Sequence, residues 1–306
     1  MNLTVAAGSY AHLAALADGD GGDGLRLERT VLEPGKIFPR MQRDAAWDVA
    51  EMSLATTYIL ADRGDERFAA LPVFPSRAFR HSALYLPARS ALRSAGELRG
   101  CRVGVLRYAM TTAVWVRLML AEQYGVQPAE LQWVVGEDSP HPPSVQPRVV
   151  QGPAALERMA AAGEIDCLIS GRTPKAFEAG ALRRLFPDFG AEERAYYART
   201  RIFPIMHVMV AKRALLAQPG VARALLGRFE AAKRAAEAGL RDFDISTYPL
   251  PWLPAYVEEA RRLAGDELWP YGVEANRPTL EAFGRALAAE GLTRRALAPG
   301  EVFAHG

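Results

Sequence analysis

The sequence predicts an α/β protein with largely parallel sheets, and three observations carry that prediction. Short apolar runs of strand length alternate with helix-forming stretches through both halves of the chain. Pro- and Gly-containing turns separate these runs. From Arg213 to Leu240 the chain is almost pure helix former. Alternating strands and helices favour sheets whose faces are covered by helices. A chain of 306 residues can bury one large core or two modest ones.

Leu3 to Ala7 reads as a first strand, broken by Gly8-Ser9-Tyr10, with a short helix from His12 to Ala17. Asp18 to Gly24 is an acidic, glycine-rich turn without the downstream Glu of a calcium loop. Leu25 to Leu32 alternates as a half-buried strand does, and Pro34-Gly35 turns it into a helix from Ile37 to Arg43. Trp47 to Met52 is the next strand, and Ser53 is placed to cap a helix from Leu54 to Asp62. Phe68 to Phe74 is a strand interrupted by Pro72, followed by Arg77, Arg80 and an alternating strand from His81 to Leu86. Cys101 to Leu106 and Leu131 to Val135 are strands, with Thr111 or Thr112 capping a helix to Tyr124 between them. Glu137 to Pro147 is loop, Pro153 to Ala162 helix, and Asp166 to Ser170 a buried strand. Gly171-Arg172-Thr173-Pro174 opens a helix, Leu185 to Phe189 is a short apolar segment, and Glu192 to Arg199 is helical. Ile205 to Val210 is a strand that carries His207. Helices follow from Arg213 to Leu240, broken at Gln218-Pro219-Gly220, then from Tyr256 to Leu263 and from Thr279 to Ala289.

This order runs β-α-β-α-β-α-β, crosses over, repeats a shorter version and crosses back. It is the order of a two-lobed periplasmic-binding-protein-like fold of the second type, with two crossover strands. Residues 1–88 and 208–306 are expected to form one lobe and 89–207 the other. Ligands of α/β sheets sit beyond the carboxyl ends of strands, so the expected site is a cleft between the lobes.

Composition narrows the function. The 37 basic and 35 acidic side chains leave a formal charge of +2, which argues against a dedicated nucleic-acid binder. No apolar run approaches the roughly 20 residues that span a bilayer, so no membrane partner is expected. Cys101 and Cys167 are far apart and suit buried free thiols in a reducing compartment. Met1 to Gly8 lacks the basic and long apolar regions of a signal peptide. A cytoplasmic location follows as the expectation. The chain has no phosphate-binding glycine loop, no G-x-S-x-G elbow, no H-E-x-x-H and no C-x-x-C.

What remains is a set of anion binders and titratable groups at strand ends and helix starts. Arg77, Arg80 and Arg107 follow strands and offer guanidinium forks that match carboxylates. Ser53, Thr111 and Thr112 begin helices, whose amides attract anions. His81 and His207 are candidate proton donors, and Glu51, near the end of the third strand, is a candidate base. Each has a blander explanation: surface pairing for the arginines, capping for the hydroxyls, core packing for the histidines. His12, His141 and His305 are weaker candidates.

Several segments bear a family resemblance. They are Glu51-Met52-Ser53-Leu54, Pro72 to Ser82, Val103-Gly104-Val105, Met110 to Arg117, Arg184-Leu185-Phe186-Pro187-Asp188, Phe203 to His207, and Trp269 to Arg277. Together they span nearly the whole chain and resemble 4,5-dihydroxyphthalate decarboxylases, of the periplasmic-binding-protein-like superfamily. The resemblance implies a cytoplasmic carboxy-lyase of aromatic catabolism. Its substrate would be 4,5-dihydroxyphthalate or a close aromatic acid, and its products protocatechuate and carbon dioxide. No cofactor is predicted, because a hydroxyl para to the departing carboxylate can feed electrons into the ring; a divalent metal stays open, since catechols chelate metals. Arg77, Arg80 and Arg107 would then hold carboxylates, His81 or His207 would protonate the ring carbon, and Glu51 would act as base. Tyr108 and Ala109 lie in a loop placed to tune substrate choice. The competing expectation is a non-catalytic cytoplasmic binding protein or sensor for a small aromatic carboxylate. Trp269-Pro270-Tyr271-Gly272 and the C-terminal helices offer a surface for self-association into a homo-oligomer.

Overall fold

A computed structural model describes residues 1–17, 24–138, 145–240 and 248–304. His141, His305 and most of the acidic turn, residues 18–23, lie outside the described residues. In chain order the strands and helices begin with β1 (Asn2–Ala7), β2 (Arg26–Val31), α1 (Pro34–Asp44), β3 (Val49–Ser53), α2 (Leu54–Asp62) and β4 (Phe68–Arg77). Then come β5 (Leu84–Pro87), β6 (Arg102–Val105), α3 (Thr111–Tyr124), β7 (Gln132–Val135), β8 (Arg148–Val149) and α4 (Gly152–Ala162). Next are β9 (Cys167–Ile169), α5 (Lys175–Glu178), β10 (Leu182–Arg184), α6 (Phe189–Thr200) and β11 (Ile205–Lys212). The chain ends with α7 (Arg213–Leu216), α8 (Val221–Gly239), α9 (Leu253–Ala264), α10 (Arg277–Ala289) and α11 (Pro299–Val302).

The chain divides into two compact units. The first comprises Met1–Arg77, His207–Leu280 and Ala298–Gly306; the second comprises Ala78–Met206 and Glu281–Leu297. His207, expected at the end of the second lobe, therefore groups with the first unit, and two segments expected in the first lobe group with the second unit. Residues 78–88 do so because β5 pairs antiparallel with both β9 and β10. Residues 281–297 do so because Phe283 packs on Trp115 of α3, and Glu290 is paired with Arg117 on the same helix.

The first unit is built on a five-stranded sheet of order β2-β1-β3-β11-β4. β1 runs parallel to β2 and β3, whereas β11 is antiparallel to β3. β4 continues through Pro72 and Pro75 to Arg77, so the expected interruption at Pro72 does not occur. The sheet order explains this: β4 lies at an edge, and Pro72, whose carbonyl accepts from Gly272 N, faces away from the ladder with β11. Ser53 caps α2 as expected, its Oγ accepting from Thr56 N at 3.4 Å. α8 lies against the 3₁₀ turn of Ala11–Ala17, and Arg228 on it donates to Leu25 O at 2.9 Å.

The second unit carries a six-stranded sheet of order β10-β5-β9-β6-β7-β8. Its β6, β7, β8 and β9 are mutually parallel, and β5 is antiparallel to its neighbours. Tyr85, Leu156, Ala160, Ile165, Leu168 and Leu182 form a core between the sheet and α4. The expected strand from His81 begins instead with a 3₁₀ turn, His81–Ala83, and only then becomes β5. Thr111 and Thr112 are not caps: Met110 occupies that position, and the two threonines are buried in the first turn of α3. The two-residue β8 and three-residue β10 escape a sequence reading because neither is long enough to show alternation. Among the described residues, no helix is long and apolar enough to cross a membrane.

Candidate active site

The first unit places a buried carboxylate, an imidazole and a phenol in contact at the ends of three strands. Sheet register explains how. Glu51 on β3 stands opposite Met209 on β11, and Ser53 stands opposite His207. His207 and Met209 share a face of β11, so Glu51 and His207 are diagonal neighbours, within reach of long side chains. Glu51 Oε1 lies 2.5 Å from His207 Nδ1. On its other side β3 pairs with β1, and the chain leaving β1 brings Gly8 and Tyr10 to the same carboxylate. Gly8 N donates to Oε2 at 2.8 Å, and the Tyr10 hydroxyl donates to Oε1 at 2.6 Å.

Glu51 is fully buried, while His207 keeps about a quarter of its side chain exposed, at 23%. Burying a carboxylate is costly unless it is hydrogen-bonded, and here Gly8 N and the Tyr10 hydroxyl donate to it, with His207 Nδ1 also in contact. With Nδ1 turned to Glu51, Nε2 is the nitrogen left for proton exchange. Phe38 meets the imidazole edge-on, with ring centroids 5.0 Å apart. Burial and the neighbouring Glu51 charge raise the Tyr10 pKa far above its ordinary value, so the phenol remains a donor. Gly8 permits this closeness: a Cβ there would stand 2.7 Å from Tyr10 Cε2 and 3.4 Å from Glu51 Oε2.

Behind Tyr10 the His12 ring packs between Tyr10 and Trp269, with centroids at 5.5 and 5.3 Å. Burial lowers the His12 pKa to about 4, so it is neutral at pH 7. Trp269 Nε1 donates to Phe74 O at 2.8 Å. Arg77, the last residue of β4, donates from Nη1 to Pro270 O at 3.1 Å. Asn276 Nδ2 donates to Pro270 O and Gly272 O, and the buried Lys233 binds Glu267, Glu230 and Trp269 O. These contacts hold the irregular segment 266–276 against β4 and α8.

A second constellation lies within the second unit. Arg80 donates from Nε to Met206 Sδ at 3.0 Å, and Thr112 Oγ1 reaches the same sulfur at 3.8 Å. A Cβ on Gly171 would stand 3.2 Å from Thr112 Oγ1 and 3.5 Å from Arg80 Nη1. The guanidinium therefore lies beside the first turn of α3. Burial lowers the Arg80 pKa to about 10, and burial raises that of Glu193, in whose field Arg80 and Arg184 stand, to about 7.

The candidate residues thus fall into separate groups. Glu51, His207 and Ser53 come together in the first unit, with the Ser53 oxygen serving the α2 cap. Arg80, Thr112 and the adjacent Thr111 come together in the second. His81 is 1% exposed and packs against Phe186 and Tyr196, with burial lowering its pKa. Arg107 is exposed and pairs with Glu137 at 3.5 Å. Tyr108, in the loop expected to tune substrate choice, is buried beneath the Arg117 guanidinium at 3.8 Å. Sequence reasoning missed Tyr10 and Gly8. The rule that flagged Arg77, a position just beyond a strand end, applies equally to the residues after β1. Among the described residues, no three His, Cys, Asp or Glu side chains gather as a metal-ligand set.

Comparison with known proteins places this geometry in context. The chain is 35% identical over 317 residues to a 4,5-dihydroxyphthalate decarboxylase of Comamonas testosteroni, covering 99% of this chain and 96% of that protein. It is 35% identical over 194 residues to a protein of the same name from Pseudomonas putida, covering 59% of this chain and 74% of that one. No protein-family model matches the sequence. Among solved structures, it resembles the periplasmic sulfonate-binding protein SsuA of Methylobacillus flagellatus, with a TM-score of 0.58 at 15% identity, covering 99% of this chain and 91% of that one. It also resembles the Candida albicans CA3427 product, described as having the generic periplasmic binding protein fold. That likeness has a TM-score of 0.52 at 14% identity and covers 99% and 93% of the two chains. At these identities the structural likeness shows a shared two-lobed α/β fold.

Proposed function

The chain belongs to the 4,5-dihydroxyphthalate decarboxylase family, and from that premise we propose that it converts 4,5-dihydroxyphthalate, or a close aromatic acid, to protocatechuate and carbon dioxide. The observation that carries a catalytic reading is the Glu51–His207 pair, a buried carboxylate holding Nδ1 of a partly exposed imidazole. Such a pair stabilises an imidazolium and directs its other nitrogen outward.

In the proposed reaction, the hydroxyl para to the departing carboxylate pushes electrons into the ring. His207 Nε2–H protonates the carbon bearing that carboxylate. Carbon dioxide leaves with its ring carbon's bonding electrons returned to the ring, aromaticity is restored, and His207 recovers a proton from the hydroxyl or from water. Glu51 has both oxygens engaged, which suits it to hold and balance the charge of His207. Arg80 is proposed to meet a carboxylate: it lies beside a helix N-terminus, where an anion is doubly favoured. The burial of His81 among aromatic rings favours His207 as the acid.

The proposed enzyme needs no added cofactor and acts in the cytoplasm, which its two free cysteines suit. Incubation with a panel of hydroxylated aromatic acids, with carbon dioxide release measured, tests the reading. The expected result is release from 4,5-dihydroxyphthalate that survives exhaustive treatment with a chelator. Release lost on chelation and restored by a divalent ion would add a metal to the mechanism. Ligand binding with no release across the panel would replace the enzyme by a binding protein.

A further inference from the structure

We propose that Tyr10 is a positioning residue of the proton-transfer pair: its hydroxyl holds Glu51 Oε1 so that Glu51 fixes His207 with Nε2 as the working nitrogen. The proposal rests on the reading of His207 as proton donor.

One oxygen of Glu51 serves two partners. Oε1 lies 2.6 Å from the Tyr10 oxygen and 2.5 Å from His207 Nδ1, and those two donors stand 3.4 Å apart. Oε2 is held by Gly8 N. A carboxylate oxygen this close to Nδ1 favours a proton on that nitrogen. Tyr10 occupies the side of Oε1 that would otherwise let the carboxylate swing away from the imidazole.

The surroundings are built to keep the phenol in place. Ser76 lies within hydrogen-bonding reach of the Tyr10 oxygen. The His12 ring braces the phenol ring, and Trp269 braces His12. The titratable and charged groups facing this assembly are Glu51, His207 and His12, with Lys233 and Arg29 acting on His12. Arg29 Nη2 also donates to Gly8 O at 3.3 Å, steadying the residue whose amide holds Oε2.

The substitution Tyr10→Phe keeps the ring and its packing and removes only the hydroxyl. With that donor gone, the Glu51 carboxylate is free to turn and Nδ1 of His207 loses its fixed partner. In ¹⁵N NMR of the ligand-free protein, neutral His207 should then be shared between its two tautomers, whereas the unsubstituted protein holds the proton on Nδ1. In steady-state kinetics kcat should fall about tenfold with little change in KM. An unchanged tautomer with unchanged kcat would overturn the proposal. Should Tyr10→Phe fail to fold, the unsubstituted protein decides. Neutral His207 must carry its proton on Nδ1, and finding it on Nε2 overturns the proposal. The parent reading fails separately, by full turnover in His207→Gln, whereas the NMR tautomer reports on Tyr10 whatever the reaction.

Discussion

His207 takes its meaning from residues distant in sequence: Glu51, Tyr10 and Phe38 all reach it. From the sequence it is a histidine in an apolar strand, a pattern that core packing explains as well as catalysis does. Partial exposure and the bond to Glu51 distinguish it from a fully packed core histidine and support the catalytic proposal. Replacing His207 by Gln should lower kcat about 10²-fold or more, the usual scale of general acid–base catalysis, in steady-state decarboxylation kinetics. Near-normal kcat would remove it as the acid. The role proposed for Arg80 is binding. Arg80→Lys keeps the charge and loses the fork, so KM for 4,5-dihydroxyphthalate should rise several-fold while kcat changes little. Unchanged KM would assign Arg80 to packing on Met206. Glu51, His207 and Arg80 were legible as charged or titratable residues in or just beyond a strand; Tyr10 also lies just beyond β1, but its partner is set by the pairing of β1 with β3.

At the scale of elements, α3 shows how a buried ion pair ties helices together. Arg117 Nε donates to Glu290 Oε1 at 2.9 Å, and both side chains are almost wholly buried. The Arg117 guanidinium also lies over Tyr108. Removing one member leaves an unpaired charge in the core, so Arg117→Leu should cost about 3–5 kcal/mol in urea unfolding. The double variant Arg117→Leu with Glu290→Leu should recover most of that loss. A double variant no more stable than the single would show that the pair matters through packing on Tyr108. No local pattern in either helix announces this pair, because its members are 173 residues apart. The extent of β4 has the same origin: Pro72 reads as an interruption until the strand is known to lie at a sheet edge.

At the scale of the whole molecule, stability should depend on pH through His12. Its folded-state pKa is lowered to about 4 by burial, against an ordinary value of about 6.5 in the unfolded chain. As pH falls from about 6.5 to about 4, the unfolded state takes up a proton that the folded state refuses. Stability is therefore greatest above that window and declines through it. Urea midpoints at pH 7 and pH 4.5 should differ by less in His12→Phe than in the unsubstituted protein. Equal differences would show that His12 titrates alike in both states.

The sequence by itself determined the α/β class, the order of most elements, the family and several members of each candidate group. Those properties are local: alternation, helix-forming composition, turn residues and contiguous motifs survive without knowledge of what packs where. Only the tertiary structure decided that β11 lies between β3 and β4 and antiparallel to β3, that residues 78–88 and 281–297 belong with the second unit, and that Tyr10 completes the Glu51–His207 pair. Strand direction, edge position and cross-strand register arise from long-range hydrogen bonding, and side-chain partners follow from that register.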